Sequence, residues 1–234
     1  MKHFTGAMLL AASLFGTQTA GAADFSVRII NLTNSIYFTP FLVAAHPQGT
    51  SVFTVGQPAS ASLQAMAEGG DLSGLVTDLQ GLGATLVENP AGGPLAPATE
   101  TSADLNTDGT SNELLTIVAM LLPTNDGFAA LNAVPIPTDP GTYVYELPAY
   151  DAGTEANDEL ITGGGAPGAP GIPLDPTGLA GTGGTGAAGA DANPNVHIHR
   201  GTLGDLDPAG GVSDLDSTAH RWLNPVIRVI VTVN

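Results

Sequence analysis

The sequence predicts an all-β fold, an antiparallel β-sandwich carrying one or two short inserted helices and a long Gly/Pro-rich loop. Three observations predict it. Apolar segments are short, β-branched and separated by turn formers, unlike those of a helical bundle. The segments nearest the two ends alternate apolar and polar residues with period two. One internal run, Leu114–Leu122, is apolar throughout, as a strand covered on both faces must be.

Residues 1–22 read as a cleavable export signal. Lys2 and His3 supply a positive start, and the apolar core Ala7–Phe15 is too short to cross a bilayer of about 30 Å as a helix. Ala20-Gly21-Ala22 is the small-residue pattern of a cleavage site, which makes Ala23 the new N-terminus. Later segments never reach the roughly 18 consecutive apolar residues of a membrane span, so residues 23–234 are expected to form one soluble domain, periplasmic or extracellular.

The first strand is expected over Phe25–Ile30 and the second over Tyr37–Ala45. Between Ala59 and Gln80 the period changes: Leu63, Met66 and Ala67, then Leu72, Leu75 and Leu79, fall at helical spacing. Ser60 and Asp71 are placed as N-caps and Gly69-Gly70 as a stop, which predicts one or two short helices. Asp104–Gly109 matches the first half of a helix-loop-helix calcium loop, but Leu115 stands where that loop needs a bidentate Glu. A hairpin turn is the better reading. After Leu114–Leu122 comes the loop Pro123–Phe128, whose Asp126 is either a turn former or a ligand. Tyr150–Asp158 sets carboxylates at Asp151, Glu155 and Asp158 around a Gly turn, able to aim several oxygens at one hard cation or to sit solvated. Residues 163–189 are a Gly/Pro/Ala tract that buries too little to offset its ordering entropy, so a mobile loop is expected. Asn195–Arg200 alternates and places His197 and His199 on one face of a strand, a transition-metal spacing if His220 or Asp216 approaches. Pro225–Val233 is the closing strand.

Charge narrows the function classes. The net charge is −17, and without Lys2 the 22 acidic side chains face four arginines, for −18. Such a surface offers nothing to nucleic acid or anionic lipid and favours cations. With no cysteine, stability is expected from packing, aided by metal ions. No Cys nucleophile, G-x-S-x-G elbow, H-E-x-x-H helix or P-loop is present, and the chain is not expected to be an enzyme.

The ordered pair Leu122–Phe128 and Tyr150–Glu155, about two dozen residues apart, resembles the N-terminal domain of spondins, as in F-spondin and mindin. Thr39-Pro40-Phe41, Ala45-His46-Pro47, Val55–Ser60 and Ala67-Glu68-Gly69 agree with the bacterial branch of that family, as do His197–Gly201 and Trp222–Pro225. The resemblance implies a calcium-binding β-sandwich of the kind animals use for matrix association and integrin-dependent adhesion. Carried over by position, it implies Asp126, Asp151 and Glu155 as Ca²⁺ ligands. Glu155 stands where animal members carry Asp, Gly127 replaces a Trp, and the animal cysteines are missing. The expected function is an exported calcium-binding surface-interaction module whose partner is a protein or polysaccharide surface. The alternatives are a metal-dependent hydrolase using the His197/His199 face and a purely structural exported protein.

Overall fold

The computed structural model describes residues 24–187 and 193–234. The export signal read over residues 1–22 lies outside them, as do residues 188 and 189 of the Gly-rich tract.

The strands are β1 (Asp24–Asn31), β2 (Tyr37–Phe38), β3 (Leu42–Pro47), β4 (Thr85–Glu88), β5 (Glu100–Asn106), β6 (Asn112–Leu122), β7 (Gly127–Pro135), β8 (Gly141–Leu147), β9 (Ala149–Asp151), β10 (His197–Ile198) and β11 (Ile227–Val233), with α1 (Ala61–Gly69) and α2 (Ser73–Gln80) between β3 and β4. They form two antiparallel sheets. The smaller runs β5-β1-β11-β8 and the larger β10-β9-β7-β6-β3-β4, with β2 also pairing β6.

Each apolar pattern follows from its layer. The β1 side chains Phe25, Val27 and Ile29 point inward, and Val229, Val231 and Val233 of β11 do the same from the neighbouring strand. They meet Val43, Ala45, Ile117, Ala119 and Leu121 of the larger sheet to fill the sandwich. The other face of that sheet is covered as well. Leu42, Ala44, Val118, Met120 and Phe128 pack outward against Leu63, Met66, Leu75 and Leu79 of the helices. Strand β6 is therefore buried on both sides, which is why Leu114–Leu122 carries no alternation.

The helices form where the period predicted them. Ser60 Oγ accepts the Leu63 N–H at 3.1 Å, and Gly70 ends α1 in the left-handed conformation at φ 70°. Ser60→Ala is expected to cost about 1 kcal/mol, read by thermal denaturation. Asp71 acts one residue earlier than a standard cap: its Oδ1 accepts the Ser73 N–H, while Leu72 holds the capping position of α2.

Several expectations are corrected. Tyr37–Ala45 is two strands, because Pro40 has no N–H to give a ladder and Thr39 instead exchanges bonds with Met120, its N–H to the carbonyl at 3.0 Å and its Oγ1 from the amide at 3.1 Å. The turn after Asn106 is not a hairpin, since β5 and β6 lie in different sheets and the turn crosses between them. Asn195–Arg200 is strand only at His197–Ile198. The Gly-rich tract is a loop with no helix or strand over residues 163–187, and side chains from elsewhere accept its amides at several points. Asp214 accepts N–H bonds from Ile161, Thr182, Gly183 and Gly184 at 2.8–3.0 Å. Burial works to raise its pKa, but those donors hold it below the ordinary value.

Candidate metal centre

The site lies where β7, β9 and β10 run side by side. Thr124 builds its entrance: the hydroxyl donates to the Leu121 carbonyl at 2.7 Å and accepts the Gly127 N–H at 3.0 Å. This tight turn delivers Asp126 to the start of β7. Gly127 then pairs with Asp151 on β9, and Asp151 pairs with His197 on β10. The Ala152 N–H closes the corner on the Asp126 carbonyl at 3.2 Å.

Two glycines permit the close approach. A Cβ at Gly127 would stand 2.7 Å from Thr124 Oγ1 and 3.2 Å from the His199 ring, so the Trp of animal relatives has no room here. Gly153 has φ 71°, and a Cβ there would meet the Asn193 carbonyl and the Asn195 amide, each at 2.7 Å.

The three predicted carboxylates lie on adjoining turns, where Asp126 feels the charge of Asp151 and Glu155 that of Asp126. Asp126 Oδ2 accepts from the Thr154 and Glu155 N–H groups at 2.8 and 3.1 Å and from the Thr154 hydroxyl at 3.2 Å. Its Oδ1 is buried and has no partner. Glu155 Oε2 accepts from the Gly171 N–H at 3.0 Å, whereas Oε1 is buried without a partner. Asp151 is satisfied at both oxygens, by the Gly153 N–H at 2.8 Å and the Asn157 amide at 2.7 Å. Each of those oxygens keeps a second lone pair.

Electrostatics mark the same spot. Burial and the neighbouring Asp151 charge push Asp126 up to about 7, against the donors at Oδ2. Burial, with Glu68 and Asp126 adding, pushes Glu155 up to about 7 against the Gly171 and Asn125 bonds. Carboxylates crowded in this way attract a cation or a proton.

Sequence reasoning missed the residues that brace the cluster. The Asn125 amide donates to Asp158 at 2.8 Å and to Glu155 at 3.4 Å, and its oxygen accepts the Glu159 N–H at 3.2 Å. Glu68, fully buried on α1, accepts from Gln64 at 2.8 Å and from the Gly168 N–H at 2.6 Å. Glu68 and Glu155 thus tie the Gly-rich tract to the helix and to the acidic site. Asn125 and Glu68 both lie in motifs that carried the resemblance, Leu122–Phe128 and Ala67–Gly69, but nothing in those motifs marked either side chain as a brace.

The two histidines do not share an environment. His197 is partly exposed, its Nε2 3.8 Å from Asp151 Oδ2 and its Nδ1 2.9 Å from the Asn195 carbonyl. His199 is buried, held down to about 4 by burial, and its Nδ1 accepts the Gly201 N–H at 2.9 Å. That bond leaves the proton of the neutral ring on Nε2, which is unpartnered and carries no lone pair for a metal. His220 is taken up elsewhere, 3.4 Å from the buried Asp175 and accepting the Asp216 N–H. Among the described residues, no group of three or more His, Asp or Glu side chains, Asp126, Asp151 and Glu155 included, is placed so that it could hold a metal ion as it stands.

The class defined by this geometry is an acidic two-sheet sandwich with a buried carboxylate cluster at one loop end. The family model Spondin_N matches residues 28–160, more than half of the chain. The chain belongs to the spondin N-terminal domain family, an extracellular-type module compatible with a surface-interaction role. No curated protein matches it. Among the described residues no helix is long and apolar enough to cross a membrane.

Proposed function

We propose that this chain is an exported surface-interaction module whose loop end is braced by Ca²⁺ at Asp126, Asp151 and Glu155. The observation that carries the reading is the pair of buried, unpartnered oxygens, Asp126 Oδ1 and Glu155 Oε1, within one acidic cluster. Unsatisfied buried acceptors are costly, and hard oxygen donors suit a hard cation. When bound, Ca²⁺ supplies positive charge shared among six to eight oxygens.

The chain's own residues do the rest. Asn157 and the Gly153 N–H orient Asp151; the Thr154 and Glu155 amides orient Asp126, leaving its second oxygen free. Asn125 and the Gly171 N–H hold Glu155 by one oxygen, so that the other faces inward. Held in this way, the three carboxylates would let a bound cation fasten the Pro123–Phe128 turn to the Tyr150–Glu155 turn, next to the surface that a protein or polysaccharide partner would meet.

Chelation tests this with a definite sign. Asp126 and Glu155 have folded values near 7, above the ordinary 3.8 and 4.5. Their contribution to metal-free stability is complete below those ordinary values and is lost as pH rises through about 7. In EDTA the melting temperature is expected to fall between about pH 5 and pH 8. Added Ca²⁺ is expected to remove most of that fall, because it binds the ionised form. A melt indifferent to EDTA and Ca²⁺ at pH 8 would leave a purely structural role; rescue by Zn²⁺ alone would point to the histidine face.

A further inference from the structure

The chain's exposed apolar side chains are not evenly spread. Leu174, Leu179, Leu203, Leu206, Val212 and Leu223 all lie in the irregular segment between β9 and β11, beyond the family match. Leu206 is 73% exposed, with nothing in the fold requiring it there. A cavity of about 210 Å³ opens beside it, with Leu179, Leu206 and Pro208 among its lining residues. Asp205, Asp207 and Asp216 line the same cavity and supply its acidic rim.

The rim is a built one. Asp205 accepts the Asp207, Val212 and Ser213 amides at 2.7–2.9 Å, and Asp216 accepts the Thr218 amide and hydroxyl at 2.7 and 2.6 Å. These bonds hold both carboxylates in place and in their charged form. Asp207 holds the Ala209 N–H at 3.0 Å through one oxygen. The rim therefore presents fixed negative charge beside exposed leucine and proline, an arrangement that attracts a group both cationic and apolar.

We infer that this acidic, leucine-lined groove binds a basic, apolar peptide segment of a partner protein, one that sets Arg or Lys beside Leu-like side chains. Size favours side chains as occupants, because pockets for drug-sized molecules run to about 300–1,000 Å³. Charge argues against a second copy. Each copy carries −17, and two of its few cations, Arg28 and Arg228, already pair with Glu100 and Glu146 on the smaller sheet. The groove shares no carboxylate with the candidate metal centre, so this inference does not depend on calcium.

The test uses the purified chain and three labelled peptides of equal length, read by fluorescence anisotropy: alternating Arg/Leu, Arg/Ser and Glu/Leu. The Arg/Leu peptide is expected to bind, the other two at least roughly tenfold more weakly. Leu206→Ser, and separately Asp207→Asn with Asp216→Asn, should each weaken Arg/Leu binding roughly tenfold. Glu88→Gln with Asp104→Asn removes the same charge elsewhere and should change it less than about twofold. All substituted side chains are exposed, so unchanged melting temperatures check the fold. Equal binding of Arg/Ser, equal binding of Glu/Leu, an equal effect of the distant pair, or no binding of Arg/Leu overturns the proposal.

Discussion

Asp126→Asn is expected to abolish the calcium-dependent rise in melting temperature while raising the metal-free melting temperature at pH 8. The two effects have opposite signs for one reason. In the metal-free protein Asp126 is a fully buried carboxyl beside Asp151, and ionising it there costs free energy that an amide does not incur. The Asn oxygen can still accept the Thr154 and Glu155 N–H groups, so the turn keeps its geometry. What disappears is the free anionic oxygen. A ligand held a hundredfold above its Kd adds about 2.7 kcal/mol of stability, and that increment should vanish. Calorimetry should give one Ca²⁺ per wild-type chain and none for the variant. A variant that keeps the full calcium shift would remove Asp126 from the site.

Phe128→Ala should produce the largest loss of stability in the fold, about 3–5 kcal/mol by urea denaturation. Phe128 is fully buried and packs with both Phe53 and Tyr150, at ring-centroid distances of 5.2 and 5.5 Å. Phe53 and Tyr150 also touch, at 4.9 Å. The triad joins β7 to β9, two residues after Asp126 and one before Asp151. The cavity should therefore weaken calcium binding as well as folding, whereas Phe128→Leu, which keeps most of the volume, should cost less than about 1.5 kcal/mol. A loss below about 1 kcal/mol for the alanine variant would mean that the joint is not set by this packing.

Legibility in the sequence followed the reach of each signal. Leu114–Leu122 and the two helices were readable because a continuous apolar run and a 3.6-residue period are local patterns with one packing solution. Strands such as Glu100–Asn106 were not read, since only Ala103 and Leu105 of that segment are buried and the rest is polar. The break at Thr39-Pro40 was visible as a proline, yet its partner Met120 lies 81 residues away. At the candidate site the carboxylates followed from a resemblance in motif order, and Asp126 interacts with the charges of both Asp151 and Glu155. Their holders are mostly backbone N–H groups, at Gly153, Thr154, Glu155 and Gly171, which have no signature in a sequence. Glu68 sat in a helix that was correctly anticipated, but no periodicity shows that a helical Glu will reach a glycine amide 100 residues later.

Strand β11 lies inside the smaller sheet, bonded to β1 on one side and β8 on the other. Until residues 227–233 emerge from the ribosome, the first strand made lacks an inner neighbour and the eighth has none. The smaller sheet therefore stays open beside β1 until β11 has been made. Its final closure is thus a late event, governed by contacts between residues some 200 positions apart such as Val27 and Val231.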